Sequence, residues 1–269
     1  MTNILEGKKG IIFGALDEKS IAWKVAERAK EEGATFVLTN APVALRMGTI
    51  KELGEKCNAE IIGADATSVE DLTNLIDQSQ EILGGKLDFI LHSIGMSPNV
   101  RKGRHYTNLQ YDWYHKSLDI SAMSFHKLLQ VAMEKDAISE WGSVVALTYI
   151  AAQRVFPDYG DMADAKSMLE SIARSFGYHY GVKNKVRINT ISQSPTATTA
   201  GTGVKGFDDF ISFADSMSPL GNADASACAD YCVSMFSDFT RYVTMQNLMH
   251  DGGFSNTGVS AALMEKMSS

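Results

Sequence analysis

Short apolar segments alternate with longer amphipathic segments along most of the chain. The short segments are rich in β-branched residues and are bounded by glycine or polar residues, which is typical of buried strands. The longer segments repeat their apolar residues every three or four positions, as helices do. This alternation predicts βαβ units around a parallel sheet of about seven strands, an α/β fold. The predicted strands cover residues 10–13, 35–39, 59–63, 89–92, 143–148, 186–191 and 243–250.

The segments between the strands are of two kinds. Residues 20–32 and 68–83 have a clear helical period, and a glycine stops the first. Residues 96–107, which contain Pro98 and four basic or histidine residues, and the small, polar residues 193–206 have no such period. Both follow predicted strands. The loops beyond the carboxyl ends of parallel strands form the ligand crevice, so we expect both segments at a binding face.

Length and composition predict one globular domain that covers residues 1–269. The chain is 45% hydrophobic and 21% charged, and no linker or low-complexity stretch divides it. A net charge of −7 argues against a nucleic-acid binder, which needs a clustered basic surface. No apolar run is long enough to span a membrane and the first residues do not resemble a signal peptide, so we expect a cytoplasmic protein.

The cysteines predict neither disulfides nor a metal site. Cys57, Cys228 and Cys232 are too few and too scattered for a disulfide framework or a four-ligand zinc site. Cys228 and Cys232 are spaced as on one helix face, and we expect both in the core.

Tyr159 and Lys166 stand seven positions apart after the fifth predicted strand. Positions seven apart on an α-helix return to within about 20° of the same face, so both side chains can line one groove. A phenol beside an ammonium can donate a hydrogen bond to an oxygen that gains charge during a reaction. The same spacing also occurs on many helices without any function. Tyr149 brings a second phenol toward the same crevice.

Other strand ends carry residues that suit a dinucleotide. Gly14 and Ser20 frame the turn into the first helix, where N–H groups attract a pyrophosphate, although the G-x-G-x-x-G pattern is missing and Ser20 can equally be a plain N-cap. Asn40 stands where an acid commonly binds ribose hydroxyls or a base binds a 2′-phosphate. Asp65 can contact an adenine amino group or cap the next helix. Gly95 lets backbone approach a flat ligand.

Together these residues form a set in a characteristic order. The set comprises Gly14 with Ser20-Ile21-Ala22, HSIG at 92–95, Tyr149, Tyr159, Met162, Lys166 and SPTATTAGTG at 194–203. On this set the chain resembles the NADH-dependent enoyl-[acyl-carrier-protein] reductases of bacterial type II fatty acid synthesis, a divergent branch of the short-chain dehydrogenase/reductase superfamily. The resemblance runs from about Gly7 to the DGGF at 251–254. It implies a Rossmann-like, doubly wound fold with a flexible flap over the acyl chain at 199–204.

The resemblance implies a reaction and a catalytic set. Hydride from the nicotinamide would attack the β-carbon of a trans-2-enoyl thioester, Tyr159 would hydrogen-bond the enolate oxygen, and Lys166 would hold the nicotinamide ribose. Tyr149 would complete the catalytic set and line the acyl pocket. The substrate-binding residues implied are Met96, Ser97, Tyr149, Tyr159, Met162 and Val204.

The resemblance also implies a cofactor and partners. The residues that would bind NADH are Gly14, Ala15, Ser20, Ile21, Asn40, Asp65, Ala66, Ser93, Ile94, Gly95, Lys166, Thr196 and Thr198. Asn40, with no adjacent lysine or arginine, favours NADH over NADPH, while Arg46 leaves NADPH open. The implied partners are an enoyl thioester on acyl carrier protein and further copies of the chain in a homotetramer. The basic residues of 101–105 are candidates to meet the acidic carrier.

Two departures and two alternatives accompany this interpretation. Gln193-Ser194-Pro195 replaces the family's alanine-glycine-proline turn, and Thr196 stands where an apolar residue is common, so cofactor contacts there can differ. A carbonyl reductase of the same superfamily would carry a serine ahead of a Tyr-x3-Lys pair, whereas this chain has Tyr149 and Tyr-x6-Lys. A regulator that senses nucleotides by binding NAD(H) without turnover is the alternative outside enzymes.

Overall fold

The computed structural model describes residues 3–198 and 207–268, and within them every paired strand runs parallel. The strands are β1 (Lys9–Phe13), β2 (Thr35–Asn40), β3 (Ile61–Gly63), β4 (Leu87–His92), β5 (Ile138–Thr148), β6 (Arg187–Gln193) and β7 (Asn247–His250). Their order in the sheet is β3-β2-β1-β4-β5-β6-β7. This order confirms the predicted Rossmann-like, doubly wound fold. It reverses between β1 and β4, where such sheets bind ligands.

Helices connect the strands and cover both faces of the sheet. They are α1 (Ile21–Glu31), α2 (Pro42–Met47), α3 (Ile50–Cys57), α4 (Val69–Leu83), α5 (Pro98–Arg101), α6 (Tyr111–Leu118), α7 (Ser124–Glu134), α8 (Asp161–Asn184), α9 (Phe207–Met217), α10 (Ala225–Phe236) and α11 (Ala261–Ser268). No described helix is long and apolar enough to cross a membrane.

Neighbouring residues of the central strands point to opposite faces, and each face has its own core. Phe89 on β4 packs with α1 and α10 on one face, where its ring lies 4.6 Å from that of Phe236. Ile90 points to the other face, among residues of α4, α7 and α8. Cys228 and Cys232 are fully buried in the first core, as predicted. This alternation explains why the strands read as nearly continuous apolar runs.

Three predicted boundaries were wrong. β5 begins at Ile138 rather than at 143, because Ile138 pairs with Leu87 before a register shift in β4. β7 begins at Asn247 rather than at 243, since Met245 adopts a left-handed φ of 61° and donates its N–H to the Ile188 carbonyl. The segment 96–107, predicted as a loop, contains α5. The Ser97 hydroxyl caps this short helix at 3.0 Å from the Val100 N–H.

Candidate functional site

The crevice beyond β1 and β4 begins with a close approach of two backbones. Gly14 has a φ of +96°, and a Cβ added there would overlap the carbonyl oxygen of Ser93. Only glycine satisfies both constraints. The turn after β1 and the loop after β4 are therefore held against each other at the head of the crevice.

The turn between β1 and α1 is held by its own serine. The Ser20 hydroxyl donates to the Asp17 carbonyl at 2.5 Å and accepts from the Leu16 N–H at 3.2 Å. It does not cap α1, and the first turn of α1 carries no acidic residue. A helix start without a side-chain cap or an acidic residue suits an anion, because its first N–H groups and the helix dipole attract negative charge.

The ends of β2 and β3 are fixed by local hydrogen bonds. The Asn40 amide donates to the Ala15 carbonyl at 2.9 Å, and its oxygen accepts from the Ala41 N–H. The exposed Asp65 carboxylate accepts from the N–H and hydroxyl of Thr67, while Ser68 rather than Asp65 caps α4. Asn40 and Asp65 are each held by hydrogen bonds within the turn that follows their strand. The side chain of Asn40 is neutral, so it provides neither a carboxylate nor a cation at the ribose position.

His92, at the end of β4, is a buried structural residue. Its Nε2 lies 2.9 Å from the Ser124 hydroxyl, and its ring packs against Phe125. Burial, assisted by the nearby Lys166 ammonium, lowers the pKa of His92 to about 3. The ring is therefore neutral at physiological pH.

The two phenols after β5 lie together. The rings of Tyr149 and Tyr159 are 5.1 Å apart, and Phe156 and Phe210 pack against Tyr149. The buried Tyr149 hydroxyl has no hydrogen-bond partner in the described part of the chain. Burial raises the pKa of both phenols. The pair therefore presents neutral donors to whatever enters the crevice.

The helical argument for Tyr159 and Lys166 was wrong in its geometry. Tyr159 ends a 3₁₀ turn, Pro157–Tyr159, and Gly160 with a φ of 51° separates that turn from α8. Only Lys166 is on the helix. The seven-residue helical period therefore does not relate the two side chains.

The Lys166 ammonium is buried beneath the crevice. Its Nζ donates to the Leu147 carbonyl at 2.9 Å and to the Ile94 carbonyl at 3.3 Å. A Cβ on Gly95 would lie 3.6 Å from this Nζ and 3.3 Å from the Met162 Cε. Burial lowers the pKa of Lys166 to about 8, against the opposing effect of Glu170. Since an ammonium has three donors, one remains for a ligand.

The remaining predicted residues are partly committed to the protein. Met96 is clamped by Ser121, whose hydroxyl accepts from its N–H and donates to its carbonyl. The Ser97 hydroxyl caps α5 and donates to Asp161, so a substrate could contact the backbone of Ser97 but not its hydroxyl. Thr196 donates to the Ser194 carbonyl at 2.9 Å. Val204 and the flap at 199–204 lie outside the described residues.

The residues that replace the family's turn after β6 form a network of their own. The Gln193 side chain bonds to His250 Nδ1 at 2.7 Å and donates to the Ala223 carbonyl at 3.0 Å. It is buried and points away from the crevice mouth. The departure at Gln193 therefore joins β6 to β7 and to the start of α10.

Sequence reasoning missed a fully buried carboxylate beside Tyr159. Asp161, the first residue of α8, accepts hydrogen bonds from Ser97 at 2.5 Å, Asn99 at 2.9 Å and Ser117 at 2.8 Å. An acid in the first turn of a helix is ordinary, so the sequence carried no signal of burial. Asp161 fastens the loop after β4 and the end of α6 to the start of α8.

A second buried carboxylate was missed one turn beyond Lys166. Glu170 accepts from Thr148 at 3.0 Å, Gln153 at 3.0 Å and Asn247 at 3.1 Å. These donors come from the end of β5, the segment after it and β7. Glu170 therefore holds the segment around Tyr149 while its charge favours the protonated form of Lys166.

We expect Asp161→Asn to lower the thermal unfolding midpoint by at least about 4 °C, because the new amide would face donors that lose their acceptor. The matched control is Asp164→Asn, three residues along α8. Among the described residues, that half-buried carboxylate accepts from the hydroxyls of Tyr106 and Tyr114 alone, so its loss should shift the midpoint less. Equal shifts in the two variants would contradict the role assigned to Asp161.

Comparison with known proteins identifies the family to which this chain is similar. The family model described as "Enoyl-(Acyl carrier protein) reductase" matches residues 14–255. "Enoyl-[acyl-carrier-protein] reductase [NADH] 2" of Rhizobium meliloti (strain 1021) is 31% identical over 264 residues, which cover 96% of each chain.

Solved structures agree. The FabI–NADH complex from Alistipes finegoldii is 67% identical with a TM-score of 0.97, over 98% of this chain and 93% of that one. The enoyl-[acyl-carrier-protein] reductase (NADH) from Aquifex aeolicus VF5 is 30% identical with a TM-score of 0.87, over 95% and 99%. The resemblance predicted from the motifs is confirmed, and the chain belongs to the enoyl-(acyl carrier protein) reductase family.

Proposed function

We propose that this protein reduces the trans-2 double bond of enoyl thioesters carried on acyl carrier protein, in the last step of the fatty acid elongation cycle. The predicted reaction class and the NADH cofactor are confirmed at the level of the family. The observation that best supports the activity in this chain is the phenol pair. The rings of Tyr149 and Tyr159 lie 5.1 Å apart, and the buried Lys166 ammonium, which donates to the carbonyl of Leu147 two residues before Tyr149, has a donor to spare.

The turn after β1 fits a dinucleotide. Gly14 lets this turn pack against the Ser93 carbonyl, and the start of α1, which has no side-chain cap and no acidic residue in its first turn, suits a pyrophosphate. The residues that would hold the cofactor remain those inferred from the sequence, with Asn40 and Asp65 toward the adenosine and Lys166 toward the nicotinamide ribose. Bound NADH supplies the hydride that goes to the β-carbon of the enoyl thioester.

The residues of the chain stabilise the charge that this transfer creates. Negative charge develops on the thioester oxygen, and the Tyr159 hydroxyl donates a hydrogen bond to it. Uptake of a proton at the α-carbon then discharges the enolate and gives the saturated thioester. Burial keeps that phenol protonated, since its pKa is raised. Lys166 adds a positive field from below without leaving its two carbonyl partners. Tyr149 and Met162 line the acyl side.

We also propose that the whole chain, residues 1–269, acts as one catalytic domain and that it assembles as a homotetramer in the cytoplasm. Exposed apolar side chains on α8, among them Val182 at 74% and Tyr178 at 60%, would be covered in such an assembly. Light scattering that gave any mass other than four chains would refute the tetramer.

The activity test compares a crotonyl thioester with an acetoacetyl thioester, each with NADH and with NADPH, by loss of the cofactor's absorbance. We expect turnover of the crotonyl thioester with NADH. Turnover of acetoacetyl alone would make the protein a carbonyl reductase. NADH binding with neither turnover would favour the nucleotide-sensing regulator.

Tyr159→Phe should lower kcat on the crotonyl thioester about 100-fold, because one preorganised donor to the reacting oxygen is lost. NADH affinity should stay near the wild-type value. Tyr242→Phe is the matched control, since it removes an exposed phenol that packs on Trp141 in the first half of β5, away from the end of that strand that leads to Tyr149. Wild-type turnover by Tyr159→Phe would refute the role of this hydroxyl.

NADH affinity should fall as pH rises through about 8. The pKa of Lys166 lies at about 8 in the free protein, so the ammonium is charged below that value and neutral above it. Only the charged form provides the third donor for the ribose. NADH fluorescence titrations across this range should show weakening of up to about tenfold per pH unit above the pKa. Lys166→Ala should bind weakly with a flat profile, and a flat wild-type profile would contradict the assignment.

A further inference from the structure

A cluster of basic side chains begins at the last residue of α5 in an otherwise acidic protein. We call Arg101, Lys102, Arg104 and His105 the basic loop. Arg101, Lys102 and His105 are exposed, and the chain as a whole carries a net charge of −7. In the part of the chain that the structure describes, none of the four forms an ion pair with a carboxylate. Their charge is therefore open to a partner.

The basic loop is held in place from both ends. The Arg104 guanidinium lies 5.5 Å over the Trp113 ring and donates to the Asn108 carbonyl. Asn99 bonds to the backbone of Gln110 in both directions, at 3.1 and 3.0 Å. A charged surface that is already ordered loses less entropy when a partner binds than a mobile one does.

The loop stands beside the reacting groups. Val100, the residue before it, packs so closely on Gly160 that a Cβ there would lie 3.2 Å from the Val100 side chain. Gly160 directly follows Tyr159. At the other end, the Tyr106 hydroxyl bonds to Asp164 on α8, so that carboxylate is occupied by a neutral donor. The basic loop therefore flanks the crevice on the Tyr159 side.

A second element at the same aromatic cluster, α9, begins with negative charge. On α9, Phe210 packs against Tyr149 and Phe156, and the exposed Asp208 and Asp209 occupy the first turn. A negatively charged partner would be repelled at that turn and attracted at the basic loop. A negatively charged partner should therefore bind at the basic loop rather than at the start of α9.

We propose that the basic loop is the docking surface for the acidic acyl carrier protein, which delivers its thioester past Val100 to Tyr159. This inference rests on the proposed function, because the carrier is the partner of that reaction. It assigns the contact to cations that follow β4, rather than to the first turn of α9.

The test is the double variant Arg101→Glu/Lys102→Glu, assayed on two crotonyl thioesters. One is crotonyl loaded on acyl carrier protein, and the other is crotonyl-N-acetylcysteamine, which is small and uncharged. We expect kcat/KM on the carrier substrate to fall by about tenfold or more, mainly through KM, and kcat/KM on the small thioester to stay unchanged. Added salt should weaken the wild type on the carrier substrate and the variant much less.

The control is Lys30→Glu/Lys51→Glu, which makes the same change of net charge with two exposed lysines on α1 and α3. It should leave the carrier substrate near the wild-type value. Unchanged activity of the basic-loop variant on both substrates, or equal losses on both, would overturn the docking surface. If the wild type turned over neither crotonyl thioester, the proposed function itself would fail, so the two failures are distinguishable.

Discussion

The site depends on one buried cation. The Lys166 ammonium is only 6% exposed, and the carbonyls of Leu147 and Ile94 are its hydrogen-bond partners. A charge taken out of water is costly unless such partners stay in place. Because these carbonyls belong to β5 and to the loop after β4, two bonds fix both strand ends against α8. Tyr149 and Gly95, which flank those carbonyls, are positioned by the same requirement.

The same helix carries two buried acids, and neither is paired with a cation within the described residues. Asp161 and Glu170 each accept three hydrogen bonds from neutral side chains. Neutral donors satisfy buried oxygens without placing a second positive charge beside Lys166. The helix α8 thus fastens the surrounding loops, while the positive field under the crevice comes from one group.

The sequence predicted what local pattern determines and missed what long-range contacts determine. Alternating apolar segments give the parallel sheet because each strand is buried on both faces. The seven-residue spacing of Tyr159 and Lys166 suggested a shared helix face, but the two residues are not on one helix. Gly160, with a positive φ of 51°, separates Tyr159 from α8, which begins at Asp161. No local signal marks Asp161 as buried, because its donor Ser97 is 64 positions away. The burial of Asp161 and of Glu170 is determined by tertiary packing.

The ionisation states beside the phenol pair agree with a reaction that creates an oxyanion. Burial raises the pKa of Tyr149 and Tyr159 and lowers the pKa of His92 to about 3, so near neutral pH all three are uncharged. A proton abstraction would need a strong base poised against the substrate, whereas both phenols keep their protons and the buried His92 ring, with a pKa of about 3, is a weak base. Neutral donors above a single ammonium instead stabilise an oxygen as it becomes negative. That is the charge change which hydride addition to an enoyl thioester requires.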